Sequence, residues 1–192
     1  MNILLRTSVL LFMAITVVAI AAPSTRAMAA TCSTAGGDHY ADKGMLKHAV
    51  VAYSAVLQKP GCGKDTHVLF QRARVYFAAG RFEKAAQDFA AVVGQRPTWS
   101  KAQAGLAWSL FKTSSSKADL LTAEAAALEA IRLNPSDHYA WHTLGSIQEK
   151  LERPLYTFVR AYRTAWQMDS KKQKGWDELI KLNAIFDWSS IA

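Results

Sequence analysis

Two apolar stripes of helical period stand back to back between residues 66 and 99. The first uses Leu69, Phe70, Ala73, Tyr76 and Phe77, and the second Phe82, Ala85, Ala86, Phe89, Val92 and Val93. Steps of three and four residues place each set on one helix face. Gly80, between them, suits a tight turn that needs positive φ, and Pro97 stops the second helix. The stretch reads as a helix–turn–helix hairpin of 34 residues. Neither helix buries its stripe alone, so the hairpin requires neighbours.

The flanking sequence supplies them. Gly37, Tyr40, Gly44, Leu46, Ala49 and Tyr53 recur 36 residues before Ala73, Tyr76, Gly80, Phe82, Ala85 and Phe89. Residues 33–64 therefore read as a first hairpin, with Gly36 and Gly37 weakening its first helix by about 1 kcal/mol each. A third, over 100–137, carries Ala104, Ala107, Trp108 and Phe111, then Leu120, Leu121, Ala123, Ala127, Ala130, Ile131 and Leu133. Its polar connection at Thr113 to Lys117 is expected to be about four residues longer than the Gly80 turn. A fourth, over 138–172, begins after the N-cap Asp137 with Trp141, Leu144, Gly145, Ile147 and Leu151. Its second stripe is Phe158, Ala161, Tyr162, Ala165 and Trp166. Over 173–188, Trp176, Leu179, Ile180, Leu182 and Phe186 predict one last helix, a cap for the open end. Trp141, Trp166 and Trp176 are expected in the core.

Residues 1–29 are a separate object. Arg6 precedes an apolar run, and Ala27-Met28-Ala29 satisfies a small-x-small cleavage rule. This is the pattern of a secretory signal peptide cut near Ala29, which predicts a periplasmic or secreted chain with no integral membrane segment after cleavage; the alternative is an uncleaved anchor, for which the apolar run is short of the roughly 20 residues of a span. The whole chain has 23 basic and 15 acidic side chains; loss of Arg6 and Arg26 leaves 21 against 15, net +6. For an exported chain that charge points away from nucleic acid and towards an acidic partner segment or an anionic surface, or else serves solubility alone. Cys32 and Cys62, an even pair in an oxidising compartment, are expected to form one disulfide. They precede and follow the first hairpin, whose two ends are neighbours in an antiparallel pair.

These units resemble tetratricopeptide repeats, whose pattern is W-x2-L-G-x2-Y, then A-x3-F and a later proline. Leu69, Ala73, Tyr76, Ala85, Phe89 and Pro97 sit at those spacings; Trp141, Leu144 and Gly145 reproduce the first motif. The resemblance implies an all-α, right-handed α-solenoid of antiparallel helix hairpins with a C-terminal capping helix. It implies close crossings of small residues, Gly37 with Ala49, Ala73 with Ala85 and Ala107 with Ala123. In the fourth unit an extra residue near Pro154 puts either Thr157 or Phe158 opposite Gly145.

In this family the first helix of each unit lines a concave groove. Carried over, the groove residues are His67, Phe70, Arg74 and Phe77; Lys101, Ala104, Trp108, Phe111 and Lys112; and Tyr139, His142, Ser146, Glu149 and Lys150, continuing to Lys174, Asp177 and Lys181 on the cap, a mostly basic and aromatic set. Basic side chains favour carboxylates, and flat aromatics supply apolar anchors. The expected ligand is an extended or C-terminal peptide of acidic character. The carboxylate clamp of cytosolic chaperone adaptors also uses groove asparagines; Arg74 and Trp108 stand in their places, so that set is not present. His138 and His142 are spaced i, i+4 without a third ligand, and there is no GxSxG, HExxH or phosphate-cradling loop, so no metal, cofactor or catalysis is expected. Two functions follow: an adaptor for assembling an envelope or secretion complex, or a structural subunit that oligomerises through its solenoid faces with no peptide ligand.

Overall fold

The computed structural model describes residues 32–168. The expected leader at 1–29 and the expected cap at 173–188, with Trp176, Lys174, Asp177 and Lys181, lie outside the described residues. Eight helices follow one another: α1 (Ala35–Asp42), α2 (Leu46–Leu57), α3 (Thr66–Ala78), α4 (Phe82–Gln95), α5 (Ser100–Thr113), α6 (Lys117–Leu133), α7 (His138–Lys150) and α8 (Leu155–Met168). They pack as sequential hairpins, each helix chiefly against its neighbours in the chain. No described helix is long and apolar enough to cross a membrane.

Local signals set the boundaries. Asp65 Oδ1 accepts from the backbone N–H groups of His67 and Val68 at 2.9 Å and starts α3. Asp137 starts α7 in the same way. Gly44 and Gly80 close the first two hairpins at φ of 70° and 69°, where a side chain is strained. Glu152 stands at the matching place in the fourth hairpin, with φ 55°. Its backbone bonds repeat the glycine turns: Arg153 N–H donates to Gln148 O as Arg81 N–H donates to Tyr76 O.

The third hairpin differs from expectation. Its connection is residues 114–116, three residues like 79–81 in the second. The added length lies in the helices: α5 and α6 have 14 and 17 residues, against 13 and 14 for α3 and α4. The cause is a capping box. Ser116 Oγ accepts from Asp119 N–H at 3.1 Å, and the Asp119 carboxylate accepts from Ser116 N–H at 3.0 Å, so α6 starts directly after the serines.

The core runs continuously because each first helix serves two layers. Val68 and Val75 of α3 pack with Ala49 and Tyr53 of the first hairpin. The opposite side of α3, through Leu69, Phe70 and Ala73, packs with Ala85, Phe89 and Val92, and Ala102 of α5 joins them. Ala104, Ala107, Ala123 and Ala127 then meet Leu144, Ile147 and Ala161. Of the expected small-on-small pairs, Ala73 with Ala85 and Ala107 with Ala123 are buried together in the core, while at the glycines of the first and fourth hairpins an aromatic ring is seated instead. Tyr53 lies against Gly37 so closely that a Cβ there would overlap its ring. Over Gly145 the nearest side chain is Tyr162, 2.7 Å from where a Cβ would stand, rather than Thr157 or Phe158. Trp166, expected in the core, is 42% exposed, and Leu121, assigned to the buried stripe of α6, faces out at 42%. The burial of α6 is centred on Leu120, Ala123, Ala127, Ala130 and Ile131, which puts Leu121 on the far side of the helix.

Cys32 and Cys62 are bonded, with Cα atoms 5.6 Å apart, and fasten the start of the first hairpin to its end. A second tie crosses from the first hairpin to the next. Arg72 of α3 donates through Nε and Nη2 to both oxygens of Asp88 on α4, at 2.7 and 2.8 Å, and through Nη1 to Ser54 Oγ on α2 at 3.1 Å. The Asp88 hydrogen bond raises the Arg72 pKa further.

Candidate functional site

First and second helices occupy different rows. α3 touches α5 and α5 touches α7, while no two of the described second helices approach each other to the same degree. The first helices therefore line the inner side of the curve, and their free faces form the groove.

The middle of that groove is an aromatic platform shared by several elements. Trp108 and Phe111 of α5 lie 5.5 Å apart between ring centroids. Trp108 meets His142 of α7 at 5.6 Å, and His142 meets Tyr162 of α8 at 5.5 Å. Phe77 at the end of α3 packs edge-on against Phe82 at the start of α4, at 5.6 Å. Two ammonium groups rest on this platform. Lys112 Nζ is 5.2 Å from the Trp108 ring centroid and 6.0 Å from those of Phe111 and Phe82. Lys150 Nζ is 5.5 Å from the Phe111 ring and donates to Ser114 Oγ at 3.1 Å. Each contact to a ring contributes about 0.5–1 kcal/mol and holds the charge in place without cancelling it.

The paired cations of the molecule are elsewhere. Among the described residues Arg72, Arg132 and Arg153 each bind a carboxylate, Asp88, Glu129 and Glu124 respectively. Lys112 and Lys150 have no carboxylate within ion-pair distance among the described residues. His142 belongs to the platform as a neutral ring: burial lowers its pKa, and the neighbouring His138 lowers it further. Tyr162 donates to Glu149 Oε2 at 2.7 Å, and burial raises its pKa, so it stays a hydrogen-bonded phenol.

Of the fourteen groove residues expected on α3, α5 and α7, six form the platform, namely Phe77, Trp108, Phe111, Lys112, His142 and Lys150, and Ser146 and Glu149 stand beside it at the Tyr162 hydroxyl. Phe70 does not line the groove. It is buried in the second hairpin's core, stacked on Trp99 at 4.5 Å and edge-on to Phe89 at 5.7 Å. Phe70 follows the buried Val68 and Leu69 at the start of α3, where α5 closes over it through Trp99. His67, Arg74, Lys101 and Tyr139 stand exposed on α3, α5 and α7 and take no part in the ring contacts of the platform; Arg74 donates to its own helix neighbour Gln71, at 2.9 Å. Phe82, Ser114 and Tyr162 complete the site and were not expected in it. They belong to second helices and a connection: the hairpin turns carry Phe82 and Ser114 to the ends of α3 and α5, and Tyr162 reaches the site across the middle of α7, with its ring on Gly145.

No protein-family model matches the chain, and no curated protein does. Solved structures do. A crystal structure of MamA is similar over 71% of this chain and 71% of its own, at 21% identity and a TM-score of 0.63. A thermophilic TPR protein of Thermus thermophilus is similar over 70% of this chain and 71% of its own, at 16% identity and a TM-score of 0.57. The first TPR of Spaghetti (RPAP3), solved bound to the HSP90 peptide SRMEEVD, is similar over 62% of this chain and 90% of its own, at 20% identity and a TM-score of 0.56. The fold is thus all-α and TPR-like.

Proposed function

We propose that the chain is a non-catalytic adaptor of the cell envelope that binds an extended or C-terminal peptide segment of acidic character in this groove. One observation carries the reading: Lys112 and Lys150 are held on aromatic rings with no ion-paired carboxylate among the described residues. A ligand carboxylate meets two fixed charges there, and its apolar side chains meet Trp108 and Phe111. The RPAP3 domain, bound to a peptide ending in EEVD, shows that this fold accommodates such a ligand in another protein. The leader at 1–29 and the Cys32–Cys62 bond support export to an oxidising compartment.

The test uses a panel of C-terminal peptides with acidic and amide-capped ends, measured by fluorescence anisotropy. Acidic members are expected to bind in a salt-dependent way. Lys112→Glu with Lys150→Glu weakens them at least about tenfold, since each charge-assisted bond contributes about 1.5–3 kcal/mol. Arg74→Glu with Lys101→Glu, outside the platform, has the smaller effect. Affinity unchanged by the first pair rejects the reading.

A further inference from the structure

The outer face of α6 carries a feature that the groove does not use. Ala118, Leu121, Ala125 and Leu128 are all exposed, and Leu121 and Leu128 keep 42% and 49% of their surface in water. Their spacings of three, four and three place them in one line along the helix, the a/d seam of a two-helix contact. Lys117 and Arg132 bound the line, and no charged side chain interrupts it. The outer face of α4, with Glu83, Lys84, Gln87, Ala90 and Ala91, has no large apolar group, and Val51 stands singly on α2.

We infer that this seam is a self-association surface, on which α6 of a second copy packs antiparallel about a two-fold axis near residue 123. The occupant follows from the order of sizes. In that arrangement Ala118 faces the partner's Leu128 and Leu121 faces the partner's Ala125, so every large side chain meets a small one. A parallel in-register pair puts alanine on alanine and leucine on leucine, leaving a gap beside each clash. Residues at equal distance from a two-fold centre satisfy themselves, which is the requirement for an isologous dimer. The flanking acids do not oppose it. Glu124 already binds Arg153 at 2.9 Å, Glu129 binds Arg132 at 2.7 Å, and the Asp119 carboxylate is taken up by the Ser115 and Ser116 N–H groups at 3.1 and 3.0 Å, so each flanking acid has a partner within its own chain. Lys117 of one copy stands at the level of the partner's Glu129.

One helix pair covers less than the roughly 1,200 Å² of a stable interface. The dimer is therefore weak and depends on concentration. It leaves both grooves open, because they lie on the opposite side from α6, and two linked grooves bind a repeated or clustered partner more tightly than one.

Sedimentation equilibrium of the intact chain between about 5 μM and about 500 μM reads the association directly. The mass is expected to rise from one chain towards two, and Leu121→Lys with Leu128→Lys is expected to hold it at one with the helical circular dichroism unchanged. Ala125→Leu, which overfills the site facing the partner's Leu121, also lowers association, while Val51→Lys leaves it intact. Oxidative crosslinking sets the direction: Ala118→Cys mixed with Leu128→Cys gives a mixed dimer, and neither variant crosslinks with itself. A single mass at every concentration, a dimer indifferent to the double substitution, or crosslinking of each variant with itself overturns the inference.

Discussion

Single backbone positions decide how the hairpins close. Gly44 and Gly80 take the left-handed conformation without cost, while Glu152 takes it with a Cβ, at φ 55°. A non-glycine residue there carries strain of about 1 kcal/mol. Glu152→Gly is therefore expected to stabilise the fourth hairpin by about 1 kcal/mol and raise Tm by about 3 °C; a thermal melt showing a loss instead rejects the assignment of strain. The same residue explains the register of the unit. With Glu152 in the glycine's place, the extra residue falls after Arg153, at Pro154, and Tyr162 lands on Gly145 as Tyr53 lands on Gly37. That register was ambiguous in the sequence, because glutamate gives no turn signal and neither alternative placed Tyr162 over the glycine.

At the level of elements, the weakest hairpin is the one with the covalent staple. α1 has eight residues, two of them Gly36 and Gly37, and its N-cap residue Thr34 makes no side-chain capping bond. Its attachment rests on Tyr53 over Gly37, on the Tyr53 hydroxyl donating to Asp38 at 2.6 Å, and on the Cys32–Cys62 bond. Cys32→Ser with Cys62→Ser is expected to cost about 3–4 kcal/mol on the loop-entropy estimate. Hydrogen exchange should speed up in α1 and α2 while α5 to α8 keep their protection; uniform loss across all helices contradicts a local staple. Helix periods were legible in every described hairpin, since a 3.6-residue stripe is a local property. The connection at 114–116 was not. The serines read as a loop, but the Ser116–Asp119 capping box turned their neighbours into the first turn of α6.

Across the whole molecule, charge is divided between fastening and display. Arg72 joins α2, α3 and α4 through Ser54 and Asp88, and its side chain is only 20% exposed. Asp88→Ala leaves that guanidinium unpaired and is expected to cost about 3 kcal/mol, lowering Tm on the order of 10 °C. Replacing both members by apolar groups, Arg72→Met with Asp88→Leu, recovers most of the loss. A single substitution as mild as an ordinary surface change shows that the node does not join the hairpins. Lys112 and Lys150 are held on aromatic rings instead, and in the proposed function they are the charges offered to a ligand.

The sequence by itself determined the helices, the hairpin order and the pairing of the two cysteines. Each depends on spacing along one chain or on the ends of one antiparallel pair. It also named Phe77, Trp108, Phe111, Lys112, His142 and Lys150, which the structure brings together. Only the tertiary structure decided which of them share a site. Phe70 and Phe77 differ by two helical turns on one helix, yet α5 and Trp99 bury the first and the hairpin turn leaves the second half-open beside Phe82. Arg72 and Arg74 are alike in sequence, and what separates a structural arginine from an exposed one is where Asp88, sixteen residues on, is carried by α4. Periodicity tells which side of a helix is apolar; whether a given residue on that side is sealed or open depends on the helices packed against it.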